Sequence, residues 1–105
     1  MKVRIKENSW VAKMAAAKIK ADNMAIVFGN TIFLHNISRS AFLQDSDWVC
    51  HELKHVQQYQ ENGFLGFIAK YLFDSVKNGY YENKFEVEAR ESEKDNSLTN
   101  GVLFI

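Results

Sequence analysis

Residues 50–63 read CHELKHVQQYQENG, with two histidines four positions apart and a glutamate directly after the first. At about 100° per residue, Val49, Leu53 and Val56 fall on one apolar stripe of a helix. His51 and His55 then lie about 40° apart on nearly the opposite side, flanked by Trp48 and Tyr59. A helix with one wet face has no need of Trp and Tyr beside its polar residues. This one is therefore expected to be buried on two sides, with the histidines facing protein or a cleft. Asp45 or Ser46 can cap its start, and Gly63 follows its end.

The flanking sequence supplies the rest of a small fold. KVRIK at 2–6 alternates polar and apolar residues and suggests a short strand. Ser9 can cap a helix over 10–20, with Trp10, Met14 and Ala17 on one side and Val11, Ala15 and Ile19 beside them. In AIVFGNTIFLH, β-rich runs at 25–28 and 31–35 flank Gly29-Asn30, a pair suited to a two-residue hairpin turn. NISRSAFLQDS reads as a loop. The run FLGFIAKYLFDSVKNG is helical and apolar around most of its girth, so it is expected to be a buried core helix, with too few basic residues for a membrane surface. A last helix spans 84–94, and the pattern of SLTNGVLFI does not choose between a strand and loose docking. The expected class is α+β: three or four helices and a small antiparallel sheet that includes the 25–35 hairpin, as one domain over 1–105.

Composition agrees with a packed domain. Of 105 residues, 47% are apolar and 13% aromatic, enough for a core and too many for disorder. Thirteen basic residues balance thirteen acidic ones, so no overall charge draws the chain to nucleic acid or to an anionic membrane. One cysteine, Cys50, excludes an internal disulfide and fits a reducing compartment such as the cytoplasm. The N-terminal stretch has no apolar region of the kind a signal peptide needs, and no run is long enough to span a bilayer.

The histidine pair carries the chemistry. Two imidazoles one helical turn apart can reach a single ion at about 2.0–2.1 Å. Glu52 is rotated about 60° from His55 and 100° from His51, so it flanks such an ion and can take a proton from water that the ion activates. A catalytic zinc usually has three protein ligands. Cys50 points about 100° away from His51 and reads as a small core residue. His35 ends the second hairpin strand and reads as a solvent-facing or hydrogen-bonded side chain. The remaining candidates lie in FEVEARE, where Glu86 and Glu88 border the Phe85–Ala89 face on opposite sides, and rotation alone does not choose between them. Glu86 also occupies the third helical position behind a possible Asn83 cap.

HELKH followed downstream by Glu-x-x-Ala resembles the HExxH…ExxA arrangement of gluzincin metallopeptidases. More closely, the run from AIVFGNTIFLH through HELKHVQQYQENGFLGFIAKY to ENKFEVEARE is similar to small bacterial metallopeptidase domains of unassigned substrate. The resemblance implies a minimal zincin-like fold and a Zn2+ ion held by His51, His55 and Glu86. It further implies Glu52 as general base and a peptide or protein substrate lying along the hairpin strand. Neither a nucleic acid nor a membrane is an expected partner. Many gluzincins carry an acidic residue directly after ExxA that steadies a ligand histidine, but here Arg90 stands there, and a cation cannot accept the ring N–H. Asp74, Asp45, Asp47, a backbone carbonyl or water would have to replace it. Tyr80, Tyr81, Arg90 and His35 are the candidates for stabilising an oxyanion. The chain is also shorter than such peptidases, which leaves a second expectation: a non-catalytic metal-binding or interaction module in a larger assembly.

Overall fold

The computed structural model describes residues 1–105. The elements run β1 (Lys2–Lys6), α1 (Trp10–Ile19), β2 (Met24–Phe28), β3 (Thr31–His35), α2 (Arg39–Gln44), α3 (Ser46–Asn62), α4 (Phe64–Asn78) and α5 (Lys84–Glu91). A 3₁₀ turn (Asn96–Thr99) and a two-residue strand β4 (Leu103–Phe104) complete the chain. No helix is long and apolar enough to cross a membrane.

The α+β class holds, with two differences of detail. The sheet, ordered β2-β3-β1-β4, is mixed and not wholly antiparallel. Only the hairpin β2–β3 is antiparallel; β1 runs parallel to both β3 and β4. Period-2 alternation marks which side chains face the core, but it is the same whichever way the neighbouring strand runs. The helices number five, because α2 forms inside the stretch read as a loop. Ser38 caps it through the Ala41 N–H, and its one fully buried side chain is Phe42. Six residues are too short a window for a 3.6-residue period to stand out.

The local chemistry behind the other elements is direct. Gly29 takes φ 65° at the first central position of the hairpin turn, whereas Asn30 stays in the ordinary range, the pattern of a type II′ turn. Ser9 caps α1 by accepting from the Ala12 N–H, and Asp45 caps α3 by accepting from the Trp48 N–H. Along β1 and β3, burial alternates. Val3, Ile5, Ile32 and Leu34 enter one cluster with Phe42, Val49, Leu53 and Val56, so the apolar stripe of α3 packs in the same core as the sheet. The small faces of α1 do the docking there: Ala12 and Ala16 are buried, while Trp10, Met14 and Ile19 are exposed.

The helix at 64–78 forms as expected but is not a buried core helix. Only Phe67 is fully buried; Leu65, Leu72, Phe73 and Val76 stand in solvent, Val76 at 89% exposure. Phe67 explains how α4 docks. Its ring lies 4.4 Å from Tyr59 and 5.0 Å from Phe85, centroid to centroid, so it wedges between α3 and α5. Nothing in the fold lies over the opposite side of α4. An all-round apolar pattern tells which faces are able to be covered, not how many neighbours the chain can supply.

These two environments separate in a stability measurement. Phe42→Ala is expected to cost about 3–5 kcal/mol in urea unfolding, by emptying a fully enclosed site. Val76→Lys is expected to change stability by less than about 0.5 kcal/mol.

Candidate metal centre

Three elements bring the site together. The middle of α3 presents His51, Glu52 and His55, α5 presents Glu86, and α4 crosses beside them with Tyr71. The two imidazole Nε2 atoms converge on one oxygen: His51 Nε2 is 3.1 Å and His55 Nε2 3.2 Å from Glu86 Oε1. The other oxygen, Glu86 Oε2, accepts a 2.5 Å hydrogen bond from the Tyr71 hydroxyl. Asn83 sets where α5 begins. Its Oδ1 accepts from the Phe85 N–H, and its Nδ2 donates to Tyr71 O and to Ser75 Oγ. Glu86 therefore serves the site and does not close a capping box.

The far side of each imidazole is also fixed. His51 Nδ1 lies 2.8 Å from Glu93 Oε2, and His55 Nδ1 lies 2.8 Å from Gln58 Oε1. Gln58 cannot flip, since its Nε2 donates to Phe85 O and to Glu88 Oε1. Both Nδ1 atoms thus face acceptors, which leaves both Nε2 atoms pointing at Glu86. Of the two glutamates in FEVEARE, Glu86 reaches the histidines, and Glu88 supports Gln58 one contact further out.

This donor set fits a metal ion. One ligand atom from each of His51, His55 and Glu86 lies within 4.8 Å of the others, and the cluster could hold a cation. The 3.1 and 3.2 Å separations are close to the roughly 3.3 Å edge of a tetrahedron with ligands about 2.0–2.1 Å from zinc. Two imidazoles and a carboxylate suit zinc, and each side chain that would bind has its second atom held by a neighbour.

Charge in the metal-free site follows from the same contacts. Burial alone would lower His51, but Glu86, Glu52 and Glu93 outweigh it and raise the imidazole to about 9. His55 is raised against burial by Glu86 and Glu52 in the same way. Burial works against the charge of Glu86 as well, yet hydrogen bonds from His51, His55 and Tyr71 hold it well below the usual carboxylate range. Glu52 is different: burial pushes its carboxyl up to about 7, with the two imidazoles pulling the other way.

Two grooves meet at this cluster. An apolar one of about 340 Å³ runs between α1 and β2 on one side and α4 on the other, along Ile19, Met24–Phe28, Phe67, Ile68 and Leu72. A second, lined by Asp45, Asp47 and Glu93, shares His51, Glu52 and Tyr80 with the first. β2 is the edge of the sheet, so its outer backbone groups have no strand partner. Of the oxyanion candidates, Tyr80 lines both grooves. The Arg90 guanidinium stacks 3.9 Å over Tyr81 and donates to Tyr81 O, and His35 sits at the end of β3, where it pairs with Met24 and touches neither groove. Cys50 is buried, its Sγ donating to Asp95 O.

The profile of the family described as "eCIS core domain" matches residues 1–63, more than half of the chain. The chain belongs to that family. The part of the eCIS core domain that matches contains β1 through α3, and with them His51, Glu52 and His55; Glu86 and Glu93 lie beyond it. No curated protein and no solved structure matches the chain.

None of the replacements considered for the missing acidic residue orients a histidine. Asp45 caps α3, Asp47 pairs with Lys94, and Asp74 accepts from the Lys84 N–H. Glu93 does so, from the turn that follows α5, where helical rotation does not predict its direction. Tyr71 was equally hidden: its residue type and position read as helix core. Gln58 is three residues after His55, a spacing that puts the two in reach.

The raised imidazoles predict how an ion competes with protons. In the metal-free protein the His51 Nε2 proton occupies the side that a metal would take. Binding at pH 7 should release at least that proton, read as a buffer-dependent heat in titration calorimetry. Affinity should climb from pH 6 toward 9 as His51 is deprotonated. The stability His51 lends the metal-free protein carries the matching sign. Its folded value, about 9, exceeds the ordinary 6.5, so the contribution is complete below about pH 6.5 and is lost as pH rises through 9.

Proposed function

We propose that this domain is a zinc-dependent hydrolase of peptide bonds, with His51, His55 and Glu86 as metal ligands and Glu52 as general base. The observation that supports this best is the meeting of the three ligand atoms with Glu52 in one groove beside a free strand edge. When bound, zinc supplies Lewis acidity, which polarises a carbonyl and makes water easier to deprotonate. The chain's own residues do the remainder. The edge of β2 offers backbone donors and acceptors to an extended peptide, and the apolar groove beside it takes the peptide's side chains. Glu52 accepts the proton of the attacking water and hands it to the leaving amine. The Tyr80 hydroxyl, at the junction of the two grooves, donates toward the oxygen on which charge develops. Glu86 keeps one oxygen for the metal because Tyr71 occupies the other.

Membership of the eCIS core family supports work inside a larger assembly, the extracellular contractile injection system. The exposed apolar side of α4 favours a second reading within that setting, a non-catalytic metal-binding module docked through that surface.

Two variants separate these readings. Glu52→Gln should keep near-stoichiometric zinc by elemental analysis and lower cleavage of a peptide library by about 10²–10⁴-fold. Cleavage that persists in that variant removes Glu52 from the mechanism; a zinc-loaded wild type that cleaves nothing favours the docked module. Tyr80→Phe should lower kcat by roughly 10²-fold with little change in KM, since its donor acts on charge that develops only in the transition state.

A further inference from the structure

The turn that follows α5 is fastened to the first half of α3 at three successive residues. Glu93 Oε2 accepts from His51 Nδ1 at 2.8 Å, Lys94 Nζ pairs with Asp47 Oδ2 at 2.6 Å, and Asp95 O accepts from Cys50 Sγ at 3.4 Å. The contacts on α3 fall on Asp47, Cys50 and His51, so the turn lies along one side of that helix. Asp95 also caps the 3₁₀ turn through the Ser97 N–H, which anchors the far end of the segment.

We propose that Glu93 is a positioning residue of the metal centre. It fixes the rotation and tautomer of His51, and the Cys50 and Lys94 contacts hold Glu93 where it can do so. The proposal rests on the reading of His51, His55 and Glu86 as metal ligands; it does not depend on hydrolysis.

The two imidazoles are supported unequally. His55 is held by Gln58, a fully buried neutral acceptor whose own amide is fixed by Phe85 O and Glu88. His51 is held at the rim by a carboxylate whose side chain is 36% exposed. An anionic acceptor on Nδ1–H selects the neutral tautomer whose lone pair is on Nε2 and makes that nitrogen a stronger ligand once its proton is displaced. Removing it lets water solvate Nδ1 but leaves the ring free to turn away from the metal. Arg90, at the position where gluzincins place the acidic partner, is stacked on Tyr81 and turned elsewhere. Glu93 supplies that carboxylate from one turn further along.

The test uses the full chain and zinc alone, with affinity measured by chelator competition at fixed pH. Glu93→Ala should weaken zinc binding by about 10–100-fold. Glu93→Gln keeps an oxygen that can accept the ring N–H, so it should recover most of that loss. In the zinc-loaded wild type, the His51 Nδ1–H should give a slowly exchanging imidazole resonance by NMR, retained in Glu93→Gln and absent in Glu93→Ala. Lys94→Ala, which only loosens the turn, should weaken binding less than Glu93→Ala. Should Glu93→Ala fail to fold, the resonance and affinity of Glu93→Gln carry the test. Zinc affinity within twofold of wild type in Glu93→Ala overturns the proposal, as does a Gln variant as weak as the Ala variant or a wild type that binds no zinc. A wild type that binds zinc with this order of affinities but hydrolyses no peptide supports Glu93 and removes only the hydrolase reading.

Discussion

The arrangement of α3, α4 and α5 depends on one buried carboxylate. Glu86 sits nearly enclosed, and a buried anion without compensating charge is strongly unfavourable. In the metal-free protein, hydrogen bonds from two imidazoles of α3, both raised toward the charged form, and from the Tyr71 hydroxyl of α4 supply that compensation. A dication gripped by the same three ligands would supply it by other means, with the imidazoles neutral. The site therefore favours positive charge beside Glu86, as protons on the imidazoles or as a bound cation, and three helices contribute to that balance. Phe67 and Asn83 add the apolar wedge and the polar tie that keep α4 and α5 at the right separation.

Much of this was legible in the chain because α3 obeys simple rules. Its cap, its terminating glycine, its apolar stripe and its second buried side all follow from residue type and helical rotation, and burial of Val49, Leu53, His55, Val56 and Tyr59 matches that reading. The hairpin was legible for the same reason: Gly29 and Asn30 separate two β-rich runs. What could not be read was anything that depends on a count of neighbours. The apolar pattern of α4 does not reveal that only one side has something to pack on. The alternation of β1 does not reveal its parallel partners, and six residues of α2 show no period. At the site, Glu86 and Glu88 are equivalent by rotation; what separates them is the placement of α5 by Asn83, a tertiary fact.

The family match and the donor set divide the chain unequally. Residues 1–63 hold two imidazoles and the adjoining Glu52, while the third ligand atom, the tyrosine behind it and the rim carboxylate come from 64–95. The cluster that could hold a metal takes only His51 and His55 from the matched portion and Glu86 from beyond it. The helices after Gly63 thus contribute to that cluster, although their sequence carries only the short Glu-x-x-Ala signal.

β4 pairs with β1 at the end of the sheet opposite β2. The Met1 ammonium donates to Gly101 O, and the Arg39 guanidinium reaches Phe104 O and Ile105 O. Because β1 and β4 run parallel, the first residue lies at one end of this pair and the last at the other. Both sit on the side of the sheet away from β2, the strand that borders the groove, so neither contributes to its walls.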